Sequence, residues 1–103
     1  MKVFKVTYTV QEGFAAQNKK NVQAFIRKLK QVNDPALRYH VYQTADGNTF
    51  MHFAEYNNME AQQTLLTLPA FLAFQKERDA HLEGQPTIEE IQFVDATYAL
   101  FNA

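Results

Sequence analysis

The spacing of apolar residues in this chain switches from every second position to every third or fourth and back again, twice over, and few folds accept that alternation. Phe4, Val6, Tyr8 and Val10 alternate with Lys5, Thr7 and Thr9, which predicts a strand over 3–10 that ends at Glu12-Gly13. From 15 to 32 the apolar positions are Val22, Phe25, Ile26, Leu29 and Val32, one stripe on a helix. Lys19, Lys20, Arg27, Lys28 and Lys30 occupy mostly the remaining surface, and Asn33-Asp34-Pro35 supplies the stop. Strands follow over 37–44 and 48–56. Ala45-Asp46-Gly47 between them suits a three-residue hairpin loop, a type I turn closed by a left-handed glycine. Asn57-Asn58 offers capping chemistry for a helix from Met59. Pro69 breaks that helix and starts another, giving pieces over 59–67 and 69–82 that end at Glu83-Gly84-Gln85-Pro86. A long strand over 88–101 closes the chain.

The order is βαββαβ, which predicts a ferredoxin-like α+β fold: one antiparallel sheet with both crossover helices on one face, as a single domain over 1–103. A monomer of this kind leaves the other sheet face polar. Here Tyr39, Val41, Met51, Phe53, Ile91 and Phe93 fall on one parity and Phe4, Tyr8, Tyr42, Phe50, Val94 and Tyr98 on the other. Strands apolar on both faces need cover on both. The end Tyr98-Ala99-Leu100-Phe101 also needs a surface. The expectation is a homodimer whose two sheets face each other and close a dimeric α/β barrel, with the last strand reaching the partner.

Composition narrows the chemistry. Ten Lys and Arg against eleven Asp and Glu give a net charge of −1, too little positive field to hold a phosphate backbone. The strand order is shared with RNA-recognition motifs, but the third strand spaces Phe50, Phe53 and Tyr56 three apart instead of placing stacking aromatics two apart behind a basic residue and glycine. Without cysteine there are no disulfides, thiolate nucleophiles or Cys-ligated metals. Met1-Lys2-Val3-Phe4-Lys5 opens without an apolar leader, and no apolar run approaches the ~20 residues of a membrane span. The reading is a cytoplasmic protein with neither nucleic acid nor a membrane as partner.

Three groups of residues carry candidate chemistry. With a three-residue loop, Tyr42 pairs with Phe50 and His40 with His52, and directly opposed residues have Cβ atoms ~4.5–5.5 Å apart. Two imidazoles on one face can share a proton or hold a substrate oxygen, and His52 and His40 are the candidate catalytic residues. A shift of one residue in register separates them, and the alternative role is a hydrogen-bonded pair inside an interface. No third metal ligand is evident, since Glu55 falls on the other parity, so no metal is expected. Phe71, Phe74, Arg78 and His81 form one stripe of the later helix. Phe71 and Phe74 suit a core. Arg78 can pair with Glu55 or Glu90 or clamp an anionic ligand, and His81 suits a helix C-terminus. Tyr8, Tyr42, Phe50 and Tyr98 line an aromatic pocket or simply fill a barrel. Candidate substrate-binding residues are therefore Tyr8, Tyr42, Phe50, Phe71, Phe74 and Arg78. Glu89 and Glu90 point to opposite faces of their strand. No phosphate-binding loop, G-x-S-x-G, H-E-x-x-H or EF-hand loop occurs.

The segment Phe50-Met51-His52-Phe53-Ala54-Glu55-Tyr56-Asn57-Asn58-Met59-Glu60-Ala61, followed by Leu68-Pro69-Ala70-Phe71-Leu72-Ala73-Phe74, resembles the dimeric α/β-barrel superfamily, and within it the antibiotic biosynthesis monooxygenase-like group. Members often carry an aromatic-rich third strand ending in Glu, then an acidic residue and Ala opening the helix, then Pro-aromatic with a second aromatic three residues on. The resemblance implies a homodimer and cofactor-independent oxygenation of a small aromatic or quinone-like molecule. In that chemistry the protein supplies a base, an oxyanion donor and exclusion of water. This chain departs at Gln62-Gln63-Thr64-Leu65-Leu66, where many members place a His, and at Gln75, where the haem-degrading members ligate haem. It also lacks the Trp that those members use, so the resemblance implies no haem and no cofactor. The missing family His leaves open a non-catalytic dimer that binds a small ligand.

Overall fold

In the computed structural model, which describes residues 1–101, the chain forms a four-stranded antiparallel sheet with three α-helices packed on one side. The strands are β1 (Lys2–Thr9), β2 (Leu37–Gln43), β3 (Thr49–Tyr56) and β4 (Thr87–Ile91), and the helices α1 (Ala15–Val32), α2 (Met59–Leu66) and α3 (Pro69–Asp79). A single 3₁₀ turn over Glu12–Phe14 leads into α1. The sheet order β2-β3-β1-β4 puts the first and third strands in the middle, which is the predicted ferredoxin-like topology.

Each helix boundary has a local cause. α1 buries Asn18, Val22, Phe25 and Leu29 and stops at Asn33, whose φ of 54° is left-handed, a conformation asparagine tolerates. Asn58 caps α2: its Oδ1 accepts a hydrogen bond from the Ala61 amide at 2.8 Å. Pro69 is the first residue of α3, where its missing N–H costs nothing. α3 ends at Asp79, short of the expected 82, because the chain leaves the helix to extend the sheet edge. Leu82 bridges Val10, the His81 carbonyl accepts from the Gln11 amide at 2.9 Å, and the Thr9 carbonyl accepts from the Glu83 amide at 2.8 Å.

The β2–β3 hairpin differs from expectation by one residue. Thr44 pairs with Thr49 through a 2.9 Å backbone bond, so the loop holds the four residues 45–48. Asp46 builds it. One carboxylate oxygen accepts from the Thr44 hydroxyl (2.6 Å), the Asn48 amide (2.9 Å) and the Thr49 amide (3.2 Å). These bonds, the Thr44 hydroxyl first, hold the Asp46 carboxyl below the usual carboxylate range. Gly47, at φ 85°, takes the left-handed position. Because the side-chain period of a strand is two, the extra residue turns all of β2 over relative to β3. His52 lies opposite Val41, and His40 opposite Phe53.

The two sheet faces are sorted accordingly. Phe4, Val6 and Tyr8 share the helix side with Phe50, His52, Ala54 and Tyr56, and with Leu37, Tyr39 and Val41 of β2. Phe25 of α1 meets Phe71 and Phe74 of α3 above them, at centroid distances of 5.5 and 4.7 Å. Tyr42 joins Met51 and Phe53 on the open face, so Tyr39 and Tyr42 have exchanged the sides their parity suggested. The closing strand is also shorter than the expected 88–101. β4 pairs with β1 as far as Ile91 opposite Val3, where β1 has only Lys2 left to offer. The chain then crosses the open face from the β4 edge to the β2 edge. There Arg38 Nη1 donates to the Leu100 carbonyl at 2.6 Å and the Ala99 carbonyl at 3.3 Å, and its guanidinium stacks over Tyr98.

Asn58→Ala removes the α2 cap without touching the sheet. We expect it to lower unfolding stability by about 1 kcal/mol, read from a urea midpoint that falls with an unchanged slope.

Candidate functional site

His52 sits at the centre of the helix-side face with only 2% of its surface exposed. Both ring nitrogens meet a phenol: Nε2 lies 2.7 Å from the Tyr8 hydroxyl and Nδ1 2.6 Å from the Tyr39 hydroxyl. Asn18, from the buried stripe of α1, donates its Nδ2 to the Tyr8 oxygen at 2.9 Å. We assign the Tyr8 hydroxyl as the donor to Nε2, which puts the imidazole proton on Nδ1, where it donates to the Tyr39 oxygen. Phe25, Phe74 and Tyr39 surround the ring at centroid distances of 6.2, 5.5 and 5.6 Å. Phe50 stacks on Tyr8 at 5.7 Å.

Arg78 brings the charge. Its guanidinium lies over the Tyr8 ring at 5.2 Å and the Phe74 ring at 5.7 Å, with 11% of the side chain exposed. Nε and Nη2 bond the carboxylate of the adjacent Asp79, and Nη1 makes no hydrogen bond among the described residues. Burial and this nearby cation set the protonation states. Burial pushes the His52 imidazole down to about 3, and the Arg78 charge acts in the same direction. Burial raises Tyr8 to about 12 against the opposing pull of Asn18 and Arg78, and raises Tyr39 further. At neutral pH the cluster is therefore a neutral imidazole between two intact phenols, with one cation beside it.

Of the residues singled out from sequence, His52, Tyr8, Phe50, Phe71, Phe74 and Arg78 come together here. His40 and Tyr42 do not. His40 is on the open face, stacked on Phe53 at 5.2 Å, with Nδ1 3.9 Å from Glu55 Oε1. The expected His40–His52 pair is corrected by the longer hairpin loop. Among the described residues no three His, Asp or Glu side chains converge as a metal site would require. Tyr42 is exposed, edge-on to Phe53. His81 lies beyond α3, stacked on Phe14 at 3.9 Å. Arg78 pairs with Asp79 and with neither Glu55 nor Glu90.

Sequence reasoning passed over Tyr39 and Asn18 as site residues. The signal for Tyr39 was Asp46 flanked by Thr44 and Asn48, side-chain and backbone donors that favour a four-residue loop. For Asn18 it was a lone amide four residues before Val22 on an otherwise apolar stripe.

An antiparallel βαββαβ sheet with a helical layer on one face and a polar cluster between the layers defines a ferredoxin-like α+β protein. Residues 1–77 match the family model for the antibiotic biosynthesis monooxygenases, and the chain belongs to that family. Its fold is similar to the crystal structure of an antibiotic biosynthesis monooxygenase (TM-score 0.79, 13% identity, covering 92% of this chain and 100% of that one). It is also similar to Rv0793 from Mycobacterium tuberculosis (TM-score 0.77, 15% identity, 94% and 98% covered). A third likeness is to a variant of SnoaB, a cofactor-independent oxygenase from Streptomyces nogalater (TM-score 0.67, 18% identity, 93% and 95% covered). At these identities the likeness is one of fold. No curated protein matches the chain in sequence.

The buried imidazole makes folding pH-dependent. His52 titrates near 3 when folded, against an ordinary value of 6.5, so below pH 6.5 the unfolded chain binds a proton that the folded chain refuses. Stability is unaffected by this group above pH 6.5 and falls as pH drops from 6.5 towards 3. At pH 5 the loss is about 2 kcal/mol relative to pH 7. Chemical denaturation at the two pH values should show this loss in the native sequence and a much flatter dependence in His52→Gln.

Proposed function

We propose that this chain is a cofactor-independent oxygenase acting on a small, electron-rich phenol or hydroquinone held between the sheet and the helices, with Arg78 as the cation that meets its oxygen and Tyr8 packed against the guanidinium. The observation that carries this reading is the near-buried guanidinium of Arg78, whose Nη1 makes no hydrogen bond among the described residues, beside a cluster of neutral side chains. A phenol oxygen brought to that cation loses its proton to solvent more readily, because the cation favours the charged form. Among neutral dipoles in a water-poor site the resulting phenolate is stabilised more than in bulk water. The electron-rich anion then gives electrons to dioxygen and forms a carbon–oxygen bond at a ring carbon. Protonation gives a ring hydroperoxide, and loss of water leaves the quinone carbonyl. One dioxygen thus yields one product oxygen and one water.

His52 has a different part from the one its residue type suggests. An imidazole held near 3, with both nitrogens bonded, is a poor general base. In this reading it positions Tyr8: Nε2 accepts the hydrogen bond of the Tyr8 hydroxyl and so fixes its direction. His40 takes no part. The family relationship and the SnoaB-like fold support the reaction class.

The same reading includes a homodimer. The open face carries Met51, Phe53 and Tyr42, and Phe93, Val94 and Tyr98 of the chain that crosses it are exposed. Two such faces packed together remove them from water. Native mass spectrometry is expected to give twice the chain mass, and a monomer would dismiss this part of the reading.

Oxygen uptake with a panel of naphthols and reduced quinones tests the chemistry. Arg78→Met should reduce turnover by about 100-fold or more, and Tyr8→Phe by about tenfold or more, with the fold intact by circular dichroism. Tight binding of a panel member that is never altered would favour the non-catalytic ligand-binding module. Unchanged turnover in both variants would move the chemistry elsewhere.

A further inference from the structure

We infer that a recess in the open face receives Lys5 of the partner subunit, so that each copy supplies the cation for the other's Glu55. The inference rests on the homodimer reading and names the contact that sets its register. Strand pairing sorts the open face into rows. Arg38, Glu55, Val3 and Ile91 form one row, and His40, Phe53, Lys5 and Glu89 the next. Glu55 is only 8% exposed, and its carboxylate accepts no hydrogen bond among the described residues. His40 Nδ1, 3.9 Å from Oε1, is too far for one. Arg38, directly opposite Glu55, turns instead to the Ala99 and Leu100 carbonyls and the Tyr98 ring. A carboxylate so enclosed calls for a cation that donates to it.

The recess beside Glu55 has a volume of about 230 Å³, below the ~300 Å³ at which ligand pockets begin, so it suits a side chain better than a free molecule. Phe53, Phe93 and Val94 wall it, its polar residues are Glu55, His40 and Gln92, and no lysine or arginine lines it. On the open side of the strands the cations are Arg38, already committed, and Lys5, which makes no ion pair among the described residues. The crossing chain leaves the sheet after Ile91 and is fastened at Arg38, both in the first row; Lys5, in the second, stays partly exposed. Glu89 faces Lys5 within the chain but is exposed, and water solvates it without a partner. In the order β2-β3-β1-β4 the midline of the sheet runs between β3 and β1. A two-fold axis along that midline lays β1 of each copy on β3 of the other, in the aligned packing of sheets ~10 Å apart. Lys5 then stands two residues, ~7 Å along the strand, from Glu55 of the partner subunit, and its flexible four-carbon stem leans into the recess. The same operation returns the contact, so the interface holds two such pairs.

Reversed charges test this on the full chain. Lys5→Glu and Glu55→Lys each set like charges together in their own homodimers, whereas a mixed dimer of the two restores both pairs. Native mass spectrometry of the mixture, with one variant labelled with nitrogen-15, should show heterodimer well above the half that random mixing gives. Pairing inside one chain produces no such preference. Lys5→Met, a milder change at a partly exposed position, should raise the dimer dissociation constant about tenfold, and Glu89→Gln should leave it within about twofold. Random mixing, an unmoved constant in Lys5→Met, or equal weakening by Glu89→Gln would overturn the contact while the native chain remains a dimer. A native chain that stays monomeric would overturn the contact and the homodimer together.

Discussion

Three hydrogen bonds to one carboxylate oxygen decide which residues of this protein meet. Asp46 gathers the Thr44 hydroxyl and the amides of Asn48 and Thr49, and so closes a loop of four residues where three would also have spanned the strands. Register in a hairpin is all or nothing, because a single extra residue turns every side chain of one strand to the other face. With the loop as it stands, Tyr39 reaches His52 from β2, and His40 is left on the open face with Phe53 and Glu55. A shorter loop would have put imidazole beside imidazole and removed the second phenol from the cluster.

Burial then does to the site what the loop did to its membership. An exposed histidine serves as acid or base near neutral pH. Enclosed by Phe25, Phe74, Tyr8 and Tyr39 beside the Arg78 cation, His52 is held neutral across the physiological range. The same enclosure keeps both tyrosines protonated. Both nitrogens of the imidazole are occupied, so beside the Arg78 cation the cluster is better suited to stabilising an anion than to creating one by proton abstraction. Arg78 holds the remaining charge, tied to Asp79 through Nε and Nη2 and without a bond at Nη1 among the described residues.

The open face follows a different logic. Val3 and Glu55 are buried there although no helix covers them, and they border the recess that also holds Phe93 and Val94. The chain after β4 therefore serves as partial cover for the sheet and is fastened at the far edge by Arg38. Its route is set by strand length: β1 is exhausted at Lys2, so the last strand has nothing to pair with beyond Ile91. The stretch 88–101 reads as one strand because a residue pattern describes the stretch itself, whereas pairing depends on the length of the neighbour.

Periodicity determined the element order, the extent of α1, the break at Pro69 and the ferredoxin-like architecture, because each depends on contacts between near neighbours or on a backbone constraint carried by a single residue. The gathering of Phe71, Phe74 and Arg78 was also legible, since residues at helical spacing share a face whatever lies opposite. The sequence by itself did not determine which strand face met that helix face. Only the folded chain chose between His40 and Tyr39, ended β4 at Ile91, and placed Asn18 against Tyr8. Each of these depends on partners distant in sequence, and a register set by one carboxylate is invisible until the donors around it are in place.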